Sequence, residues 1–148
     1  MATTTATITL SSDIADNSFS VSNSTALTKA GSTTGLDQTS GLRRRTLAAT
    51  DTVKLIDLDY YQDQTITEDK AAKVYIKNTG TSTAQHVAVG IQNGAGALEE
   101  IGWLYGGDWM FIPWSQADAA ANLEVKAPNE VNTVEYAIFH EGRTFTGA

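Results

Sequence analysis

Alternation of apolar and polar residues runs through much of the chain and predicts β-strands. Gln85–Gln92 is the cleanest case, with its two valines and its isoleucine on one face, and Ala72–Asn78 alternates in the same way. A period of two residues puts successive side chains on opposite faces of a strand. Thr133–His140 is apolar at both parities, which is typical of a central strand buried from two sides.

Turn signals separate these strands at short intervals. Asn93-Gly94 is the strongest short hairpin signal in the chain, and turns are also predicted at 78–82 and 127–130. Further strands are predicted at Thr5–Leu10, Ser18–Thr25, Val53–Tyr61, Ala97–Leu104, Trp109–Pro113 and Leu123–Lys126. Many short strands with this spacing predict an all-β, antiparallel β-sandwich that is jelly-roll-like. Ser115–Asn122 is predicted as one short helical turn or as a loop between sheets.

The densest apolar segment is Leu104–Trp114, which together with Trp103 holds all three tryptophans. It is predicted to be a strand end, a tight Gly-Gly-Asp turn and a second strand stopped by Pro113. Since the second strand is apolar on both faces, we interpret the segment as the core hairpin of the sandwich, or as a subunit interface. A sugar-binding platform is the alternative, but such a platform needs polar groups on the same face to bind hydroxyls.

Residues 1–50 differ in composition from residues 51–148. About two-fifths of them are Ser or Thr, and Phe19 is their only aromatic residue. Such a segment buries too little apolar surface to offset its ordering entropy alone. It is either a flexible tail or an extended arm that orders on a partner. The alternating patches favour the arm, with Phe19 and Val21 on one face as contact residues, and the sandwich domain is predicted to span 51–148.

Charge and composition narrow the classes of partner and of chemistry. The net charge of −7 and the pI near 4.6 disfavour nucleic acid, because phosphate binding needs a basic surface. Without cysteine, neither a disulfide nor a thiolate metal site can form. No signal peptide and no membrane-spanning run is recognised, so a soluble protein made in a reducing compartment, with no membrane partner, is expected.

Arg43, Arg44 and Arg45 form the only cluster of positive charge. The cluster is either a solvated loop or a docking site for an acidic neighbour, since the forked guanidinium suits carboxylates. A nucleic-acid patch is the least favoured interpretation, because four aspartates follow closely, at 51, 57, 59 and 63.

No catalytic constellation is recognised. His86 and His140 stand in predicted strands without ligands at a metal-binding spacing, and no serine lies in a nucleophile elbow. The adjacent carboxylates, such as Glu99 with Glu100, are expected to be solvated. We therefore expect a protein that is not an enzyme and that needs no cofactor or metal.

Several motifs resemble small virion structural proteins of tailed phages, in particular the T4-like and podoviral phages of marine cyanobacteria. They are Leu-Thr-Lys-Ala-Gly (27–31), Gly-Leu-Asp-Gln-Thr-Ser-Gly-Leu (35–42), Lys-Val-Tyr-Ile-Lys-Asn-Thr (73–79), Leu-Tyr-Gly-Gly-Asp-Trp-Met-Phe-Ile-Pro-Trp (104–114) and Asn-Thr-Val-Glu-Tyr-Ala-Ile-Phe-His-Glu-Gly (132–142). Together they cover most of the chain. No catalytic residues come with the resemblance.

Within that group, one β-domain with an extended arm is similar to capsid decoration, or cement, proteins. The resemblance implies a place on the outer capsid surface of the virion, where such proteins bridge capsomers. The implied partners are the major capsid protein and further copies of this chain, as a homotrimer. The alternatives are a tail, baseplate or fibre component and, from another class, a carbohydrate-binding module for host glycans.

Overall fold

The computed structural model describes residues 4–14, 18–28, 36, 38–56, 71–115 and 122–140. Within these ranges the regular elements are all strands: β1 (Thr5–Ser12), β2 (Phe19–Ala26), β3 (Gln38–Thr39), β4 (Arg43–Leu47), β5 (Thr52–Ile56), β6 (Ala71–Asn78), β7 (His86–Gln92), β8 (Leu98–Tyr105), β9 (Trp109–Ser115), β10 (Leu123–Lys126) and β11 (Asn132–His140). The part of the chain that the structure describes contains no helix able to cross a membrane.

The strands form two packed sheets and a separate two-stranded ribbon. The four-stranded sheet has the order β5-β10-β7-β8. In the five-stranded sheet, β11 pairs with β3 and β4 on one side and with β6 on the other, and β9 follows β6. Neighbouring strands are antiparallel throughout. The predicted all-β, antiparallel sandwich is confirmed, and the jelly-roll topology stays a prediction.

The core lies between the inner faces of the two sheets and is mostly aliphatic. Val74 and Ile76 of β6 face Val87 and Val89 of β7, and all four side chains are fully buried. These are the residues that the period-two pattern puts on one face of each strand. Each such burial stabilises the fold by about 1.5–3 kcal/mol relative to exposure, so the alternation in sequence dictates which faces meet.

The turn at 106–108 crosses from one sheet to the other, so the predicted hairpin over Leu104–Trp114 is wrong. β8 pairs with β7 in the four-stranded sheet, whereas β9 pairs with β6 in the five-stranded sheet. The turn is bonded to β6: the Asn78 N–H donates to the Asp108 carbonyl (3.0 Å), and the Gly107 N–H donates to the Asn78 carbonyl (2.9 Å).

Glycines make this crossing possible. Gly107 has a φ of 89°, in the left-handed region that favours glycine. A Cβ on Gly106 would lie 2.6 Å from the Ser82 carbonyl oxygen, so only glycine fits between the two backbones. The tight Gly-Gly-Asp turn was therefore predicted correctly as a turn, but it joins sheets rather than neighbouring strands.

The three tryptophans have different environments. Trp114 belongs to the core cluster and is 8% exposed, whereas Trp103 is 54% exposed and Trp109 is 50% exposed. The expectation that the aromatic segment builds the core is thus right for Trp114 and wrong for the other two. Trp103 lies on the outer face of the four-stranded sheet, and Trp109 on the outer face of the five-stranded sheet.

The ribbon consists of β1 and β2, which pair in register over eight residues each. Every residue of β2 is exposed. Hydroxyl groups face each other across the strands, with 2.8 Å between Thr7 Oγ1 and Ser24 Oγ. At the base, the Leu27 N–H donates to the Thr4 carbonyl (2.8 Å), and the Leu27 side chain is buried. The two strands predicted at Thr5–Leu10 and Ser18–Thr25 are confirmed.

Two strands from the first fifty residues belong to the sandwich. β3 pairs with the end of β11 through Thr39 and Phe139, and β4 pairs with β11 from Leu47–Asn132 to Arg43–Tyr136. Leu47 is fully buried in the core cluster. The division of the chain near residue 50 stays a prediction, but residues 38–47 are hydrogen bonded into the five-stranded sheet.

The remaining strand predictions follow the same pattern. The strands predicted at 72–78, 85–92, 97–104, 123–126 and 133–140 are confirmed as β6, β7, β8, β10 and β11, and the Asn-Gly turn joins β7 to β8 as predicted. The predicted stop at Pro113 is wrong, because β9 pairs with β6 through Pro113 to Ser115. Within the predicted Val53–Tyr61 strand, the structure describes β5 only as far as Ile56. The segment 116–121, part of the predicted helical turn or loop, lies outside the described residues.

Candidate functional site

The three arginines predicted to contact a partner lie on β4, a strand at the border of the five-stranded sheet. Arg43, Arg44 and Arg45 are all exposed. Arg44 Nε lies 3.1 Å from Glu135 Oε2 on the cross-strand neighbour, forming an ion pair. Arg43 Nε donates to the Ser40 carbonyl at 3.1 Å. The interpretation of this cluster as a loop is therefore wrong, because these residues form a strand. The docking role stays a prediction.

Phe19 and Val21, the predicted contact residues of the arm, lie at the far end of the ribbon. Phe19 is 54% exposed and Val21 is 45% exposed, and Val21 lies opposite Leu10, which is 54% exposed. These three side chains form an apolar patch on one face of the ribbon. The arginines instead follow Leu42, which lines a groove with the ribbon base. The structure thus places the two predicted contact sets on separate elements, the ribbon tip and strand β4 of the sandwich.

The ribbon base covers part of the outer face of the five-stranded sheet and leaves a groove of about 690 Å³. Ala6, Ile8 and Leu27 line the groove from the ribbon side. The sheet side consists mainly of aromatic residues and one cation: Tyr75, Lys77, Trp109, Phe111 and Phe139. Because Ala137 on the same face is only 6% exposed, the ribbon base and the sheet bury a second, smaller apolar layer outside the main core.

The pKa of the Tyr75 hydroxyl reflects its burial in this layer. Desolvation by burial, and secondarily the negative charge of Glu135, raise the pKa of the Tyr75 hydroxyl above its ordinary value of 10.0. Both causes disfavour the phenolate. The Tyr75 ring also lies 6.5 Å from the Trp109 ring, centroid to centroid.

A second aromatic patch, the Trp103 patch, is formed by Trp103, His86 and Tyr105 on the outer face of the four-stranded sheet. His86 pairs with Tyr105 and Ala88 with Trp103 across β7 and β8, while the alternate pair Val87–Leu104 faces the core. The His86 and Trp103 rings stack with 4.3 Å between centroids and an interplanar angle of 26°. The His86 and Tyr105 rings are 5.5 Å apart and tilted by 54°.

Polar groups hold this patch in place. Trp103 Nε1 donates to Glu100 Oε2 at 2.7 Å, and the Tyr105 N–H donates to Asp108 Oδ2 at 3.0 Å. The sequence predictions identified His86 only as a strand histidine and left the stack unrecognised. The Asn-Gly turn indicates that β7 and β8 pair, but it does not give the register that brings His86 onto Trp103.

The described residues do not converge on a recognisable catalytic arrangement. No group of three or more His, Cys, Asp or Glu residues that could hold a metal ion is found among them. Asp57, Asp59 and Asp63, which follow the arginine cluster, lie outside the described residues. The expectation of a protein that is not an enzyme stays a prediction.

No protein-family model and no curated protein matches the chain. Among solved structures, the chain is similar to a subunit from work entitled "Bacillus endospore appendages form a novel family of disulfide-linked pili", with 13% identity and a TM-score of 0.41. The match covers 75% of this chain and 97% of that one. A TM-score this low is too weak to support a functional argument.

Proposed function

We propose that the protein is a non-enzymatic structural component of a tailed-phage virion, and that within the virion it is a capsid decoration protein. The resemblance of five motifs to small virion proteins supports the phage origin. The observation that carries the attachment role is the ribbon, which consists of two full-length strands paired with each other, with the whole of β2 exposed.

A ribbon of this kind is suited to pairing with another chain. In the described residues, β1 and β2 form a sheet of their own, so each keeps an outer edge of backbone donors and acceptors. An added strand gains main-chain hydrogen bonds along such an edge, and exposed side chains supply specificity. Leu10, Phe19 and Val21 would supply apolar contacts, and repeated copies on a symmetric shell would strengthen weak single contacts.

The sandwich suits the rigid part of such a protein. Its core is closed by two sheets without help from disulfides, since the chain has no cysteine. The Arg43–Arg45 strand would be a second contact, with the exposed guanidinium groups meeting acidic residues of the capsid protein. Both contact sets are proposed to act on the major capsid protein or on a sister subunit of a homotrimer.

The test is the occupancy of undecorated capsids by variants of this chain. Deletion of residues 2–26 removes the ribbon but retains Leu27, β3 and β4, whereas a deletion that continued to residue 45 would also remove strands paired with β11. We expect the ribbon deletion to abolish occupancy and the Phe19→Ser/Val21→Ser double variant to weaken it. Unchanged occupancy with a folded deletion variant would refute the role of the ribbon.

Position in the particle decides between the capsid and the rest of the virion. Cryo-electron microscopy of intact particles should place the protein on the outer capsid surface with icosahedral multiplicity. Density in the tail, baseplate or fibres would replace decoration by that structural role, and absence from the particle would overturn the virion assignment. Light scattering of the isolated protein should give a trimer, and a pure monomer would contradict that part of the proposal.

A further inference from the structure

Three rings and the Glu100 carboxylate on the outer face of the four-stranded sheet form an arrangement that the virion role does not require. Trp103 is 54% exposed and Tyr105 is 37% exposed, and neither belongs to the core cluster. Exposed large aromatics in a cluster, rimmed by polar groups, are typical of a binding surface. The other outer face differs, because there Tyr75, Phe111 and Phe139 line the groove beside the ribbon base and only Trp109 is half exposed.

The Trp103 ring is held in one orientation before any ligand arrives. His86 stacks on it at 4.3 Å, and Glu100 Oε2 accepts its indole N–H at 2.7 Å. Fixing the ring in the free protein removes an ordering cost from the binding step. An indole that merely covered the sheet would not need both contacts.

The chemistry of the rim favours a ligand that offers hydrogen-bond donors such as hydroxyl groups. Glu100 lies at the edge of the indole, where its Oε2 accepts the indole N–H. A carboxylate accepts hydrogen bonds and donates none, so it suits hydroxyls. The Tyr105 hydroxyl can donate or accept. A flat apolar ring with such neighbours matches a pyranose, which has an apolar C–H face and an equatorial ring of hydroxyls.

Two other ligands of aromatic clusters fit less well. A cage for a quaternary ammonium surrounds the cation with separate ring faces, whereas the His86 and Trp103 rings pack on each other and leave no gap between them. A nucleobase would stack on the indole, but its phosphates would meet Glu100 on a chain with a net charge of −7.

We propose that the Trp103 patch is a binding site for a neutral saccharide, with a pyranose ring stacked on Trp103 and its hydroxyls bound by Glu100 and Tyr105. His86 acts through Trp103 by holding the indole in place. This inference goes beyond the virion role and does not rest on it. Of the aromatic residues in the Leu104–Trp114 segment the site uses only Tyr105, since Trp114 is buried and Trp109 lies on the other outer face.

The chain provides a matched control for the test. Trp103 and Trp109 are almost equally exposed, at 54% and 50%, but lie on opposite outer faces. The full-length protein would be titrated with cellohexaose, chitohexaose and maltohexaose and applied to an array of neutral glycans, with intrinsic fluorescence as the readout. We expect a neutral saccharide to bind, Trp103→Ala to weaken its binding at least about tenfold, as for a truncated aromatic anchor, and Trp109→Ala to leave it unchanged.

Further variants separate stacking from hydrogen bonding and from misfolding. Trp103→Phe keeps a ring face and should retain much of the binding, whereas Glu100→Ala removes the acceptor of the indole N–H and of the sugar hydroxyls and should weaken the binding. Far-ultraviolet circular dichroism would verify that each variant is folded. Failure of the wild type to bind any neutral glycan, equal losses for Trp103→Ala and Trp109→Ala, or binding of only choline or a thymidine oligonucleotide would overturn the proposal.

Discussion

The β1–β2 ribbon and the β6–β11 pair are both long antiparallel ladders, yet they bury very different surfaces. In β6, alternate residues such as Val74 and Ile76 are fully buried in the core. In β2, all eight residues are exposed, including Phe19 and Val21. A period of two residues is therefore sufficient to predict a strand, but it does not predict what the strand packs against.

The β1–β2 ribbon should therefore be much less stable than the β6–β11 pair. An isolated two-stranded hairpin is marginal in water, while a sheet with a packed apolar face is stable. The ribbon depends on its own hydrogen bonds and on the contacts of its base with the groove. We expect it to open long before the sandwich unfolds.

The largest expected effect comes from truncating a core residue. Ile76→Ala removes a fully buried side chain and should lower the free energy of unfolding by about 2–5 kcal/mol. Val21→Ala, at a half-exposed position of the ribbon, should lower it by less than about 1 kcal/mol. Urea denaturation followed by circular dichroism measures both. Equal losses would show that the ribbon and the sandwich form one cooperative core.

Hydrogen bonds in the sandwich and in the ribbon can be compared in the same way, with a smaller expected effect on the free energy of unfolding. The buried Asn78 side chain donates from Nδ2 to the Leu104 carbonyl in the other sheet (2.9 Å) and accepts from the Gly80 N–H (2.9 Å). Asn78→Ala leaves both backbone groups without these partners and should cost about 2–3 kcal/mol. Its ribbon counterpart, Thr7→Val, removes an exposed hydroxyl pair and should change stability by about 0.5 kcal/mol at most. A large effect of Thr7→Val would contradict this contrast.

The pKa of the Tyr75 hydroxyl can show whether the ribbon base stays packed on the sheet. Because its folded pKa is raised, the unfolded state releases the proton first, so the contribution of Tyr75 is intact below pH 10 and is lost as the pH rises through the folded pKa. An ultraviolet absorbance titration should show that this tyrosine ionises late, with Tyr75→Phe as the assignment control. Deletion of residues 2–26 should lower its pKa towards 10. An unchanged titration would mean that the ribbon does not desolvate Tyr75.

The smallest expected effect is that of the exposed ion pair. Arg44 is 72% exposed and Glu135 only 15%, so Arg44→Ala should cost about 0.5 kcal/mol or less, and the cost should fall in concentrated salt. Arg45→Ala, one position along β4, controls for the change in net charge. A loss well above that of Arg45→Ala that persists in salt would mean that Glu135 depends on Arg44 for its stability.

The fold was predictable from local patterns wherever one face of a strand is buried. β6 and β7 alternate as strands with one buried face do, β11 is apolar at both parities as predicted for a central strand, and the Asn-Gly turn joins the correct pair of strands. The error at Leu104–Trp114 has a physical origin, because a glycine turn can join neighbours in one sheet or cross between sheets with the same local sequence. Only the bonds of Gly107 and Asp108 to Asn78 distinguish the two.

The surface sites were less predictable, because they depend on the register in which the strands pair. His86 and Trp103 are 17 positions apart, and they meet because the turn spans several residues and because the β7–β8 register shifts at Val89/Gly90. A Cβ on Gly90 would lie 2.1 Å from the Glu99 carbonyl oxygen, so glycine is required at this shift. Neither the loop length nor the shift can be derived from hydrophobic pattern alone.

The pairing of β3 with the end of β11 has a mechanical consequence. Gln38, where the chain enters the sandwich, is the cross-strand partner of His140, the last residue of β11, so these two points are about 5 Å apart. A load applied between them would peel the two-residue β3 pairing one bond at a time rather than shear a whole strand. The β3–β11 pairing would therefore break at low force, while the hydrogen bonds between β6 and β11 remain intact.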